Sequence, residues 1–394
     1  MSLASSRSAL GASPAPDVLF IFCDQWSVRY TSWDNPQVRT PNLDRIARDG
    51  MIFDAAYSNS PVCMPARVSL VTGLYPHNQG HSLWGNANKY HLSPASAPMF
   101  RDIQSAGYTT AQIGKLHWFT GSDWRSEFAS LDDYHRAMGL DIVTAVNGPP
   151  DSSDSHDPYC NYLRGKGLLD SVAKDIHDRY LNDQYEPRAS VAGPEDYHDT
   201  FVTNEAIEVI RRQPRDKPLC LVLSLHAPHP PLDAPGEFAT MFDPKTIDLP
   251  KNVPEQYSYG GQSIDRADVQ RMVANYLGKM ALVDANIGRM IEAMRARGTW
   301  DDAFVAFSAD HGEMMGAHGH MSKGQMYEES VRVPLVIRWP GHVQPGRTDA
   351  LAMMFDLYPT IVEAIDGKVS PGRFARSLLP ACETGAATVH PLVV

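Results

Sequence analysis

Long apolar runs are missing from this sequence. The first, Val18–Cys23, falls far short of the roughly 20 residues a membrane-spanning helix needs. The opening residues, MSLASSRSALGASPAP, are small and polar and lack the apolar centre of a secretory signal. These absences give the expectation of a soluble, cytoplasmic protein with no membrane partner. Positive charge is also scarce. The 35 Lys and Arg residues stand against 46 Asp and Glu, a formal net charge of −11, which argues against a nucleic-acid partner because such a partner calls for a clustered basic surface. An anionic small molecule stays open, since a few local cations and a metal ion set the field inside a pocket. Cysteines are few. Cys23, Cys63, Cys160, Cys220 and Cys382 are odd in number and scattered without metal-type spacing, which reads as reduced thiols rather than a disulfide frame. Internal repeats and biased tracts are absent.

What remains is an ordinary globular composition, 43% hydrophobic and 21% charged over 394 residues, enough for one large domain with insertions or two average ones. Strand-length apolar runs stand at Val18–Cys23, Thr109–Gly114, Leu219–Leu225, Phe304–Ser308 and Leu335–Arg338. Continuous runs of this kind predict strands buried on both faces. Between them lie helical patterns. Thr40 and Pro41 supply a cap and a first-turn proline, Leu43, Ile46 and Ala47 follow at helical spacing, and Gly50 ends the helix. A longer stripe (Met272, Val273, Tyr276, Met280, Val283, Ile287, Met290, Ile291, Met294) predicts a helix over about Val269–Arg297, with Gly298 after it. The alternation predicts an α/β fold, a doubly wound and mostly parallel sheet with helices on both faces. The polar segment from Asp141 to Pro194 reads as an insertion over that sheet, and Lys245–Arg266 as a surface loop.

Two strand runs end alike: VLFIFCD on Asp24, followed by Gln25, and FVAFSAD on Asp310, followed by His311. In an open α/β sheet the ligand crevice lies beyond the carboxyl ends of the strands. Two such ends would bring Asp24, Gln25, Asp310 and His311 together, mainly oxygen donors with one nitrogen, suited to a hard or borderline divalent cation. The plainer alternative is that each Asp caps a loop. In SPVCMPARVSLVTG, Pro65 suits a first helical turn, which places Cys63 just before a helix N-terminus, where amides and dipole favour negative charge. Arg67 lies one turn on and can reach the same anion. A lone Cys of this kind is more often a small buried hydrophobe.

The pattern Cys63-x-Pro65-x-Arg67, followed by Leu70, Thr72-Gly73 and Tyr75-Pro76, resembles the signature of the sulfatases in the alkaline phosphatase superfamily. Further blocks resemble that family in order: TPNLDRIARDG, GYTTAQIGKLHW with Lys115 and His117, LSLHAPHPPLDAP with His229, and SADHGEMMGAHG leading to Lys323. Together they run from Asp17 to about Pro359, and ordered blocks are far more specific than one motif.

The resemblance implies hydrolysis of small-molecule sulfate monoesters through a covalent sulfo-enzyme intermediate on formylglycine, made from Cys63 by a formylglycine-generating maturation enzyme. It implies one divalent ion, Ca2+ or Mn2+, held by Asp24, Gln25, Asp310, His311 and the modified Cys63. Arg67 would activate the nucleophile, Lys115 and Lys323 would clamp sulfate oxygens, His229 would protonate the leaving group, and His117 would help release sulfate. Each basic residue has a plainer alternative as a solvated lysine or a satisfied histidine. His77, His81, His318 and His320 read as pocket lining or surface, and Asn86 as a contact to the sulfate group.

Two departures matter. Many sulfatases carry two consecutive acids where this chain has Asp24-Gln25, and Asp-Asn where it has Asp310-His311. Gln25 and His311 look more like phosphonate monoester hydrolases and choline-sulfatase-like members, which keeps Mn2+ beside Ca2+ and phosphonate monoesters or phosphodiesters beside sulfates. The chain also ends at HPLVV, where relatives usually continue. The expected organisation is a polar tail over 1–16, an alkaline-phosphatase-like catalytic domain over 17–370 with the insertion at 141–194, and over 371–394 the start of a reduced or truncated C-terminal subdomain. A homo-oligomer is compatible with this, as is a catalytically inactive binding protein with the same fold. A phosphomutase-like relative would call for Ser or Thr in place of Cys63.

Overall fold

The computed structural model describes residues 15–79, 92–118, 128–146, 148–150, 154–384 and 389–391. Its centre is an eight-stranded sheet. In chain order the strands are β1 (Val18–Asp24), β2 (Met51–Phe53), β3 (Thr109–Gly114), β4 (Ile142–Ala145), β5 (Leu219–Pro228), β6 (Phe304–Ala309), β7 (Leu335–Arg338) and β8 (Gly346–Thr348). Across the sheet they lie in the order β8-β2-β7-β6-β1-β5-β3-β4. Strand β7 runs antiparallel to β6 and β2; the other pairings are parallel.

The central strands are buried along their whole length, as continuous apolar runs require when both faces of a sheet are covered. Phe22, Gln112 and Val222 point to one face, against Leu70, Val71, Met99 and Phe100, and alternate residues point to the other. The first face is covered by α2 (Cys63–Thr72) together with the helical segments Met99–Ser105 and Leu357–Ala364. On the other, α1 (Pro41–Arg48) and α3 (His198–Arg212) pack against the long α4 (Arg266–Arg297).

Helix α1 buries Leu43, Ile46 and Ala47 with Pro41 in its first turn, as the spacing predicts. Helix α4 begins three residues before the apolar stripe because Asp265 and Asp268 form a reciprocal capping box there, and it stops at Gly298, whose φ is 80°. No described helix is long and apolar enough to cross a membrane.

The segment 141–194 differs from the insertion expected. Its start is the edge strand β4, paired with β3, and only the remainder, with helices Pro158–Gly165 and Leu169–Leu181, lies outside the sheet. Within Lys245–Arg266, strands Gln256–Tyr259 and Gln262–Asp265 pair as an antiparallel hairpin rather than a plain loop. Between 371 and 394 the described residues carry one helix, Leu379–Thr384.

Strands β6, β1, β5 and β3 are adjacent and parallel, so their carboxyl ends share one rim. That rim receives Asp310, Asp24, His229 and Lys115.

Candidate active site

The closest convergence on the rim is that of Asp24, Cys63, Asp310 and His311. Each offers a ligand atom, these atoms all lie within 4.8 Å of one another, and all four residues are buried. The Cys63 thiol sits 3.1 Å from His311 Nε2 and 3.6 Å from Asp24 Oδ1. His311 Nδ1 faces the Gly312 carbonyl at 2.9 Å. A carbonyl only accepts, so Nδ1 carries the proton and Nε2 keeps a lone pair directed at the cluster. Two carboxylates and one such imidazole, brought this close and away from water, fit the donor set of a divalent cation.

Helix α2 begins at Cys63 itself, one residue earlier than the sequence suggests, and no side chain caps it. Pro65 carries no N–H and the Ala66 N–H bonds to the Val62 carbonyl at 3.1 Å, so the amides of Cys63 and Met64 are those left without intrahelical partners. Arg67, one turn on, is buried and anchored on three sides. Its Nε donates to Asp310 Oδ2 at 2.8 Å, and its Nη1 donates to Lys115 O at 3.0 Å and to Ser224 Oγ at 2.8 Å. Its Nη2 makes no hydrogen bond among the described residues and lies 3.5 Å from Asp24 Oδ2. The Lys115 ammonium stands 2.5 Å from that same oxygen. Lys115 follows Gly114, whose φ is 104° and where a Cβ would meet the Ser224 carbonyl oxygen at 1.9 Å. Only glycine permits the β3–β5 approach that brings Lys115 to the rim.

Lys323 reaches in from the loop after β6. Its Nζ donates to Gln25 Oε1 at 2.5 Å and to His229 Nε2 at 2.7 Å. His229 Nδ1 faces the Pro230 carbonyl at 2.6 Å, so the ring carries its proton there and accepts from Lys323 at Nε2. The backbone beyond β5 is pinned by Lys279, whose buried Nζ donates to the carbonyls of His229 and Pro231 at 2.6 and 2.7 Å and pairs with Asp233 at 3.1 Å.

Burial alone would raise the Asp24 carboxyl, but the charges of Lys115, Arg67 and Lys323 hold it well below the ordinary aspartate range. Burial and the Asp24 charge push the Cys63 thiol up, while Lys323 and Lys115 pull it further down, so the balance lies well below an ordinary cysteine. Burial and then the Lys323 charge lower His229, keeping it neutral. Arg67, Lys115 and Lys323 thus surround the carboxylates Asp24 and Asp310, and this surplus of positive charge suits an anionic guest.

Of the residues expected from sequence, Asp24, Gln25, Cys63, Arg67, Lys115, His229, Asp310, His311 and Lys323 are joined by these contacts. His117 is not joined to them by any described hydrogen bond; its φ is 57° and its buried Nδ1 has no partner among the described residues. Asn86 and His81 lie outside the described residues. His77 stacks on Tyr75 and His318 on Tyr327. Sequence reasoning missed Ser224, which holds Arg67, and His226, whose ring lies 4.8 Å from that of His229. It also missed Glu313 and Tyr185, which touch Gln25. The signal for Glu313 was its place three residues after Asp310, and for His226 its place three residues before His229.

A family profile described as Sulfatase matches residues 16–367. An arylsulfatase of Clostridium perfringens is 28% identical over 385 residues, covering 88% of this chain and 74% of the relative. The multifunctional alkaline phosphatase superfamily protein PehA of Trinickia caryophylli is 28% identical over 421 residues, covering 94% and 77%. Among solved structures, the phosphonate monoester hydrolase of Silicibacter pomeroyi superposes with a TM-score of 0.76 at 27% identity, covering 94% of this chain and 77% of that one.

Proposed function

We propose a mechanism for a chain that belongs to the sulfatase family and hydrolyses sulfuric esters. The observation that carries it is the meeting of Asp24, Cys63, Asp310 and His311 within 4.8 Å, beneath the ammonium and guanidinium groups of Lys115, Lys323 and Arg67. Asp24, Gln25, Asp310 and His311, with residue 63, would hold one Ca2+ or Mn2+ ion, and a bound ion supplies positive charge that polarises an ester oxygen and acidifies a hydroxyl beside it. Cys63 would be oxidised to formylglycine by a maturation enzyme, and its hydrate supplies two hydroxyls on one carbon, one to attack and one to release the product.

The remaining work falls to the chain's own side chains. Arg67 is fixed by Asp310, Lys115 O and Ser224, so its free Nη2 is aimed without reorganisation and favours negative charge at residue 63. Lys115 balances Asp24 and offers its remaining protons to sulfate oxygens. Lys323 binds the substrate anion and, through its hydrogen bond to His229 Nε2, shares with that ring the proton that the departing oxygen takes. The neutral state of His229 fits this shared role better than that of a lone acid. His117, with its unpartnered Nδ1, would assist the second hydroxyl.

A phosphonate monoester or phosphodiester is the second reading of the same site. It is favoured by Gln25 and His311 at positions where many sulfatases carry an acid and an asparagine, and by the likeness to a phosphonate monoester hydrolase. The test is a matched panel of aryl sulfate, phosphodiester and phosphonate substrates, run on protein whose residue 63 has been verified by peptide mass spectrometry. Sulfate preference is expected. A large preference for the phosphorus esters would reverse the ranking, and no turnover of any of them by formylglycine-bearing, metal-loaded protein would favour an inactive binding protein.

A further inference from the structure

Glu313 is a buried carboxylate that the mechanism above does not use. All its acceptor capacity is taken. Oε1 accepts from the backbone N–H groups of Met315 at 2.8 Å and Ser322 at 2.7 Å. Oε2 accepts from the Tyr185 hydroxyl at 2.9 Å and from the side-chain amide nitrogen of Gln25. The other end of that amide, Gln25 Oε1, accepts from Lys323. An amide side chain has one donating and one accepting end, and which faces which way is set by its neighbours. A carboxylate that only accepts can take only the NH2 end.

We propose that Glu313 is a positioning residue: it fixes the orientation of the Gln25 amide so that the carbonyl oxygen, the only end able to ligate a cation, is the end left free of Glu313. The inference rests on the reading of Gln25 as a metal ligand. It also accounts for glutamine at position 25, since an acid there would abut the Glu313 carboxylate in a buried setting.

The geometry makes the test sharp. In Glu313→Gln, the backbone N–H groups of Met315 and Ser322 still demand an oxygen at the Oε1 place, which forces the new NH2 towards Gln25. Two NH2 groups cannot pair, so the Gln25 amide turns over and offers its nitrogen where its oxygen had been. In the double variant Gln25→Glu, Glu313→Gln, the new NH2 donates to a carboxylate at position 25, whose second oxygen is again free to ligate.

The experiment titrates Mn2+ into EDTA-treated full-length protein, with free Mn2+ read by electron paramagnetic resonance and the state of residue 63 matched across variants. Glu313→Gln is expected to weaken Mn2+ binding by about 10–100-fold, as loss of an outer partner of a ligand does. The double variant is expected to recover at least wild-type affinity. Glu313→Gln binding as tightly as wild type would overturn the inference. So would a double variant as weak as the single one, since a merely structural role is not rescued by exchanging the two groups. Melting of the metal-free proteins checks that each variant folds. Wild-type protein that fails to bind Mn2+ would instead overturn the metal reading beneath it.

Discussion

Replacing Lys279 by methionine, which keeps an unbranched apolar stem one atom shorter and removes the charge, tests how the leaving-group side of the site is held. The Lys279 side chain is fully buried, as is that of its partner Asp233. Its ammonium satisfies the carbonyls of His229 and Pro231 and pairs with Asp233. After the substitution Asp233 retains the Tyr197 hydroxyl at 2.6 Å, but its charge is no longer neutralised. Removing one partner of a buried pair costs about 3–5 kcal/mol, more than the pair is worth, because the remaining charge is stranded. That is a large fraction of the roughly 5–15 kcal/mol that holds a typical domain together. Urea unfolding monitored by tryptophan fluorescence should show a loss of this size for Lys279→Met. The double variant Lys279→Met, Asp233→Leu should be more stable than the single one, because no unpaired charge remains. A single-variant loss below about 1 kcal/mol, the range of an exposed pair, or a double variant no better than the single, would refute the reasoning.

Other outcomes follow from the same contacts. Cys63→Ala should abolish turnover while leaving the circular dichroism spectrum and melting temperature close to wild type; substantial residual activity would remove the covalent route. His229→Ala should slow esters with poor leaving groups by about 10²–10⁴-fold and activated aryl esters much less, a difference read from kcat/KM across a leaving-group series. For His135, burial lowers the ring to about 4 from its usual 6.5. The unfolded chain therefore binds a proton that the folded one refuses between those values, and stability complete above pH 6.5 is lost as pH falls towards 4. At pH 5 the loss is about 2 kcal/mol relative to pH 7.5, and it should be missing from the wild-type minus His135→Leu comparison of urea unfolding only if the ring is freely solvated.

The strands that form the middle of the sheet were legible because burial on both faces demands nearly unbroken apolar runs, and Val18–Asp24, Leu219–Pro228 and Phe304–Ala309 have them. Strand β4 was not, for a physical reason: Ile142, Val143 and Ala145 are apolar, but the run is only four residues long, half-buried at the sheet edge, and opens directly into a polar segment. Three-residue strands such as Met51–Phe53 and Gly346–Thr348 are too short for any periodicity. The hairpin at 256–265 is exposed along most of its length and reads as loop for the same reason.

In the site, Asp24 and Asp310 could be found because strand ends converge in this class of fold, and Cys63, Arg67, Lys115, His229 and Lys323 because their blocks resemble a family. Glu313 could not be assigned a role in that way. Its importance lies in which end of the Gln25 amide it contacts, a relation across 288 residues of chain that no local pattern records. Ser224 and Lys279 are of the same kind, a serine inside an apolar strand and a lysine inside a helical stripe, whose partners exist only once the sheet and α4 have packed.

The central claim is that a divalent ion sits beside residue 63. It is tested most directly by anomalous diffraction at the manganese edge, on crystals of EDTA-treated protein reconstituted with Mn2+. The account predicts one strong peak among the side chains of Asp24, Gln25, Asp310 and His311, next to residue 63. A peak elsewhere, or none at full manganese occupancy of the solution, would contradict it.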